Sequence, residues 1–209
     1  MLRIEIVSDL MCPWCFIGER RLQQALAQRP ELEVEVHYTP FLLDPGLPPE
    51  GADLRARLEK KYGVAASKMF ERVESVAREA GVPMDFSKIQ RAPSTLGGHV
   101  LITHAAARGT QEKLADALFA AYFRDGEDIG DPDVLARIAS QHGFTEDEAR
   151  ALVTDEDERR AVRDVAMSQP SRGVTGVPHF VVDGCYVVPG AQDEATWLKV
   201  LDKLAPASS

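Results

Sequence analysis

The sequence predicts an α/β fold in which a small mixed sheet is interrupted, after its second strand, by an all-helical domain. Three patterns predict it. Apolar and charged residues alternate over residues 2–7 and again over 32–37, on either side of a helical stretch. From about residue 52 to 170 the apolar residues recur at helical spacing instead. Two short runs, Phe180-Val181-Val182 and Tyr186-Val187-Val188, then flank Asp183-Gly184, a strong hairpin signal.

The first strand is read over residues 2–7, followed by a Ser8-Asp9-Leu10-Met11 loop. From Pro13 the pattern turns helical, with Phe16, Ile17, Leu22, Ala25 and Leu26 near one face, until Pro30 stops it. Leu32, Val34 and Val36 alternate with Glu33, Glu35 and His37 and give the second strand. A right-handed crossover makes these two strands parallel. The stretch from Asp44 to Gly51, rich in Pro and Gly, is a loop and a boundary.

Helical spacing then returns in Leu54, Leu58 and Tyr62, and in Met69, Phe70, Val73, Val76, Ala77 and Ala80. Gly81-Val82-Pro83 ends that stretch, and helices follow over about 94–107 and 110–124. Asp131-Pro132 supplies an N-cap and a first-turn proline. Thr145 to Glu148 reads as a capping box, and the acidic run 154–158 as another helix start favoured by the helix dipole. No repeat and no clear strand is expected in this region. After the hairpin, residues 193–204 form a last helix with Trp197 in the core. The expected division is 1–43 and 171–209 for the sheet domain and 44–170 for the helical domain. Without the helical block the order is β-α-β-β-β-α, the thioredoxin arrangement.

Composition excludes several classes. Lys and Arg number 24 against 33 Asp and Glu, a net charge of −9, which argues against a nucleic-acid partner. No apolar run reaches the roughly 18–20 residues of a membrane span. The charges that alternate near the N-terminus are unlike a secretory signal, so a cytoplasmic protein is expected. The 3 cysteines are too few for a disulfide framework, and in a reducing compartment close cysteines point to catalysis or metal binding.

Cys12 and Cys15 form a CxxC at the junction of a strand and a helix. There the unpaired N–H groups and the helix dipole favour negative charge, which lowers a thiol's pKa and makes it a nucleophile. Cys12 is the expected attacking sulfur, and Cys15, one turn on, the resolving one. Pro13 suits the first helical turn, and Trp14 offers an apolar face. Half of a zinc site is the alternative, but Cys185 is alone and the 5 histidines are scattered. No metal and no bound cofactor is expected.

The second signal is Gly176-Val177-Pro178-His179-Phe180, which leads into the hairpin. Pro178 could be a strand-edge device. Alternatively, a cis Val177–Pro178 bond would leave the Val177 backbone free to pair with a substrate beside Cys12.

The segment from Ser8 to Gly18, with its Cys12-Pro13-Trp14-Cys15, resembles the active-site segment of DsbA-family oxidoreductases, specifically the FrnE-like cytoplasmic branch. The segment from Gly176 to Gly184 resembles that family's cis-proline strand, Glu127 to Pro132 a part of its helical insert, and Pro189-Gly190-Ala191-Gln192 its last strand-to-helix turn. The resemblance implies a thioredoxin fold with an inserted helical domain and a dithiol–disulfide activity. It implies substrate contacts at Pro13, Trp14, Val177 and Pro178. Implied partners are a disulfide-bearing protein or a small thiol, with glutathione as a co-substrate, and a monomer or homodimer. Ser94 stands where the family often has Asn, and Cys185 is not a family active-site position. Related 2-hydroxychromene-2-carboxylate isomerases and kappa-class glutathione transferases typically carry Ser at the position of Cys12. A glutathione-dependent isomerase or transferase is therefore the alternative, and a redox-sensing binding module a third.

Two histidines are further candidates. His99 could face the site, as the resemblance hints, or serve as a structural hydrogen-bonder. His179 could stabilise a Cys12 thiolate if it faces the sulfurs. Cys185 reads as a half-buried strand residue.

Overall fold

The computed structural model describes residues 1–204. In chain order, β1 (Leu2–Ser8) leads through a loop into α1 (Pro13–Ala27), and β2 (Val34–Pro40) returns. A two-residue strand, β3 (Ala52–Asp53), precedes α2 (Leu54–Tyr62) and α3 (Ala66–Glu79). A second one, β4 (Arg91–Ala92), precedes α4 (Leu96–Ala105), α5 (Gln111–Phe123), α6 (Pro132–Ala139), α7 (Glu146–Thr154) and α8 (Glu156–Ser168). The hairpin of β5 (His179–Val182) and β6 (Tyr186–Pro189) follows, then α9 (Glu194–Leu204).

The main sheet runs β2-β1-β5-β6. β1 and β2 are parallel, from Leu2 beside Val34 to Ser8 beside Pro40. β5 is antiparallel to β1, with Val7 opposite His179 and Ile4 opposite Val182. At the hairpin tip Asp183 and Gly184 have φ of 49° and 70°, the positive values a type I′ turn requires. The Cys185 N–H donates to the Val182 carbonyl at 3.2 Å and closes the turn.

The helix starts follow the expected chemistry. Asp131 and Asp155 cap α6 and α8, and Thr145 with Glu148 forms a capping box on α7. The expectation of no strand in the helical region is corrected by β3 and β4, which pair Ala52 with Ala92 and Asp53 with Arg91. Two residues leave no alternation to read. Gly51 permits this pairing, since a Cβ there would lie 2.5 Å from the Ala92 carbonyl oxygen.

Two cores form. One lies where α1 and α9 pack on a face of the sheet. It contains Ile4, Ile6, Leu22, Phe180 and Trp197. Phe180 and Trp197 meet edge to face at 4.9 Å. The other belongs to the helices but also takes in Leu10, Cys15, Phe16 and Ile17. An aromatic chain runs through it. Phe16 stacks on Phe119 at 5.2 Å, Phe119 meets Phe123 at 6.3 Å, Phe123 meets Phe86 at 5.9 Å, and Phe86 stacks on Phe70 at 4.4 Å. Such pairs contribute about 0.5–1.5 kcal/mol each beyond burial. The chain ties the start of α1 to α3.

Candidate active site

Pro13 sets the local geometry of the CxxC. A residue before proline is pushed toward extended backbone, and Cys12 has φ −93° and ψ 110° as the N-cap of α1. Its carbonyl accepts from the Cys15 N–H at 3.1 Å, while its own N–H donates to the Asp9 carbonyl at 2.9 Å. Its sulfur thus stands at the helix start, where the dipole favours negative charge.

The loop before β5 meets that sulfur. The Val177–Pro178 bond is cis. The Cys12 thiol donates to the Val177 carbonyl with the sulfur 3.7 Å away. Cys15 lies deeper. Its relative exposure is 0%, against 3% for Cys12. Burial pushes the Cys15 thiol well above the usual range, and the neighbouring Cys12 and Glu19 push it further. Both cysteines are free thiols.

Beneath the pair, Glu19 is buried one turn after Cys15. Tyr38 donates to its Oε2 at 3.2 Å, and its Oε1 has no hydrogen-bond partner among the described residues. Burial raises this carboxyl to about 8, with Asp116 and Glu112 adding like charge and the Tyr38 hydroxyl opposing the shift.

Asp9 anchors the loop that carries Cys12. Its Oδ2 accepts from the Leu43 N–H at 2.7 Å, and its Oδ1 lies 3.4 Å from His99 Nε2. Asp9 and His99 are both buried.

A cavity of about 450 Å³ opens beside Cys12. Pro13, Trp14 and Val177 line it on the CxxC side. Its far wall comes from α2 and α3, which contribute Leu58, Tyr62, Phe70 and Val73 together with Arg57, Lys61 and Arg72. Pro178 is buried behind Val177.

Neither histidine candidate reaches this cavity. His99 is turned to Asp9 and does not line the wall. His179 pairs with Val7 in the sheet, so its side chain shares the face of Val7 and Glu5. Phe180 takes the opposite face, the one that α1 covers. Burial lowers the His179 pKa, while the nearby Glu5 acts against this. Cys185 is likewise corrected. It is an exposed residue of the hairpin turn, at the opposite end of β1 from Cys12. Among the described residues no group of three or more His, Cys, Asp or Glu is placed to hold a metal ion.

A family model described as the DSBA-like thioredoxin domain matches residues 3–202. The chain belongs to this family. A probable DsbA oxidoreductase of Streptomyces coelicolor is 30% identical, with a TM-score of 0.87 over 100% of this chain and 92% of its own. A 2-hydroxychromene-2-carboxylate isomerase shares the fold at 14% identity, with a TM-score of 0.73 over 97% and 95% of the two chains. So does the cytosolic disulfide reductase DsbM of Pseudomonas aeruginosa, solved with GSH, at 17% identity and a TM-score of 0.66 over 96% and 98%.

In this DSBA-like chain one glycine fixes the approach of the two site segments. A Cβ on Gly18 would lie 2.9 Å from Pro178 Cγ and 3.3 Å from both Ala191 Cα and Phe180 Cζ. None of these is the free end of a flexible side chain. The Gly18→Ala variant is therefore expected to lose about 1–3 kcal/mol and to melt roughly 2–12 °C lower. A thermal melt equal to wild type would show that the Pro178 loop yields freely.

Proposed function

We propose that the protein is a thiol-disulfide oxidoreductase of the cytoplasm. Its substrate is a disulfide-bearing protein or small molecule, and glutathione serves as a co-substrate. The observation that carries this reading is the 3.7 Å approach of the Cys12 sulfur to the Val177 carbonyl. It supports the reading because the outer sulfur of the CxxC lies beside the Val177 backbone, with which a substrate chain would pair.

The Cys12 thiolate attacks one sulfur of the substrate disulfide. A Cys12–substrate disulfide forms and the other substrate sulfur leaves as a thiolate, which takes a proton from water. Cys15 then loses its proton and attacks Cys12. The Cys12–Cys15 disulfide forms and the second substrate thiol is released. Two electrons and two protons have passed to the substrate. The oxidised pair, running in reverse, donates a disulfide. Cys12 lines the cavity and Cys15 does not, so Cys12 is the sulfur that an incoming disulfide can meet. Val177 orients the substrate backbone, and Pro13 and Trp14 contact it.

Alkylation and mass spectrometry across glutathione buffers of graded potential test this reading. A cooperative loss of two thiols, mapped to Cys12 and Cys15, is expected. A midpoint near about −270 mV assigns the pair to reduction, and one near about −120 mV to oxidation or isomerisation. A pair that stays reduced throughout, or that stops at one stable glutathione adduct, would overturn the reading in favour of a glutathione-dependent isomerase or transferase.

A further inference from the structure

The cavity beside Cys12 has a composition that the dithiol chemistry does not by itself require. Its walls include Trp14, Leu58, Phe70, Val73, Phe86 and Phe123. Its volume of about 450 Å³ is in the range of small-molecule sites. Amide groups placed between such walls would lose their water hydrogen bonds without replacement. An apolar body suits this inner space, while a peptide or glutathione backbone pairs only at the Val177 edge.

The charges at the wall are as specific. Arg57, Lys61 and Arg72 contribute to it, and Asp44 is the acidic residue among them. Asp44 is bound by both Arg57 Nε and Arg57 Nη2, which neutralises that pair. Lys61 and Arg72 form no ion pair among the described residues. Among the described residues Lys61 donates only to the Leu43 carbonyl, at 3.3 Å, and its ammonium lies 5.5 Å from the Tyr62 ring centre. Two positive charges therefore stay unbalanced at an apolar cavity, on a chain whose net charge is −9. A low-dielectric wall concentrates such a field and draws in anions.

We infer that the cavity selects a small anionic disulfide, one with an apolar, aromatic-sized body and a carboxylate, and presents its sulfur to Cys12. The inference rests on the oxidoreductase reading and names the substrate class of the same site. The carboxylate lies toward Lys61 and Arg72, and the apolar body fills the space against Phe70 and Val73. Cys12 forms a mixed disulfide with one half of the molecule and releases the other as an aryl or alkyl thiolate. Cys15 then releases the second half. A monothiol such as glutathione, two equivalents per cycle, returns the pair to the dithiol and is itself oxidised.

Two probes test it on the full chain. The first is protection of Cys12 from iodoacetamide, mapped by mass spectrometry, with 2-naphthoate, neutral 2-naphthamide and acetate compared at equal concentration. The second is the rate of oxidation of the reduced pair by 5,5′-dithiobis(2-nitrobenzoate) relative to neutral 4,4′-dithiodipyridine, each normalised to its rate with free N-acetylcysteine. Lys61→Gln/Arg72→Gln is the variant, at two exposed helical positions that accept Gln. Protection by 2-naphthoate alone is expected, and its loss in the variant. The normalised rate ratio is expected to fall by about fivefold or more. Equal protection by 2-naphthamide, or an unchanged ratio, would overturn the inference and leave the oxidoreductase reading intact. Failure of both disulfides to oxidise Cys12 and Cys15 would remove that reading, and the substrate assignment with it.

Discussion

Cys12→Ser is expected to lower insulin-reductase activity to below about one thousandth of wild type, as loss of a nucleophile does. Ser is a better N-cap than Cys and fits the same buried site, so the variant should fold and the loss should be chemical. Cys15→Ser should behave differently. Cys12 can still attack, but no second thiol stands beneath it, so a Cys12–substrate disulfide should accumulate and be visible by mass spectrometry under non-reducing conditions. Cys185→Ser, at the far exposed turn, should turn over at the wild-type rate. Retained reductase activity in Cys12→Ser would exclude the proposed mechanism.

Glu19→Gln should change how stability depends on pH. Burial raises the Glu19 carboxyl to about 8 in the folded protein, against about 4.3 in an unfolded chain. Between these values the folded state holds a proton that the unfolded state has released. The stabilisation from neutral Glu19 is therefore fully present below the unfolded value. It is lost as pH rises toward and through the folded one. The slope is at most about 1.4 kcal/mol per pH unit for a single proton. Gln keeps an acceptor for the Tyr38 hydroxyl and carries no charge. Urea unfolding from pH 5 to pH 9 should show wild-type stability falling over this window and a flatter profile in the variant. The Cys15 thiol should also titrate lower above pH 8 in the variant, because the Glu19 carboxylate is one of the charges that raise it. Parallel stability profiles would show that Glu19 carries no folded-state proton near neutrality.

What the sequence made legible was whatever repeats along the chain or sits at a turn. The alternation in β1, the helical periods and the Asp183-Gly184 turn lie where they were expected. So does the placement of the CxxC at the start of α1. β2 runs from Val34 to Pro40, later than the expected 32–37. The directions of single side chains were not legible. His99 turns to Asp9, and His179 takes the Glu5 face, because partners distant in sequence decide these orientations. Glu19 carried a signal that went unread. It lies four residues after Cys15 and three before Leu22, on the apolar face of α1, so helical spacing alone places it inside. The Leu54, Leu58 and Tyr62 stripe was read only as a helical period, and in the fold it also lines the cavity beside Cys12, with Tyr62 exposed. A pattern of apolar residues does not distinguish a wall from an interior.

The aromatic chain from Phe16 to Phe70 bears on modularity. A cassette spliced into a host can be lifted out if its contacts are its own. Here the α1 helix that carries the CxxC lends one side to the sheet core and the other to Phe119 and the helical core. The seam between the two parts thus runs through the interior of a helix rather than between two finished surfaces. A shortened chain made by joining the sheet segments directly would leave Phe16 and Ile17 facing water, the kind of exposed apolar patch that favours self-association. Evolutionary change in the helical part is constrained accordingly. The Phe119 side must keep its match to α1.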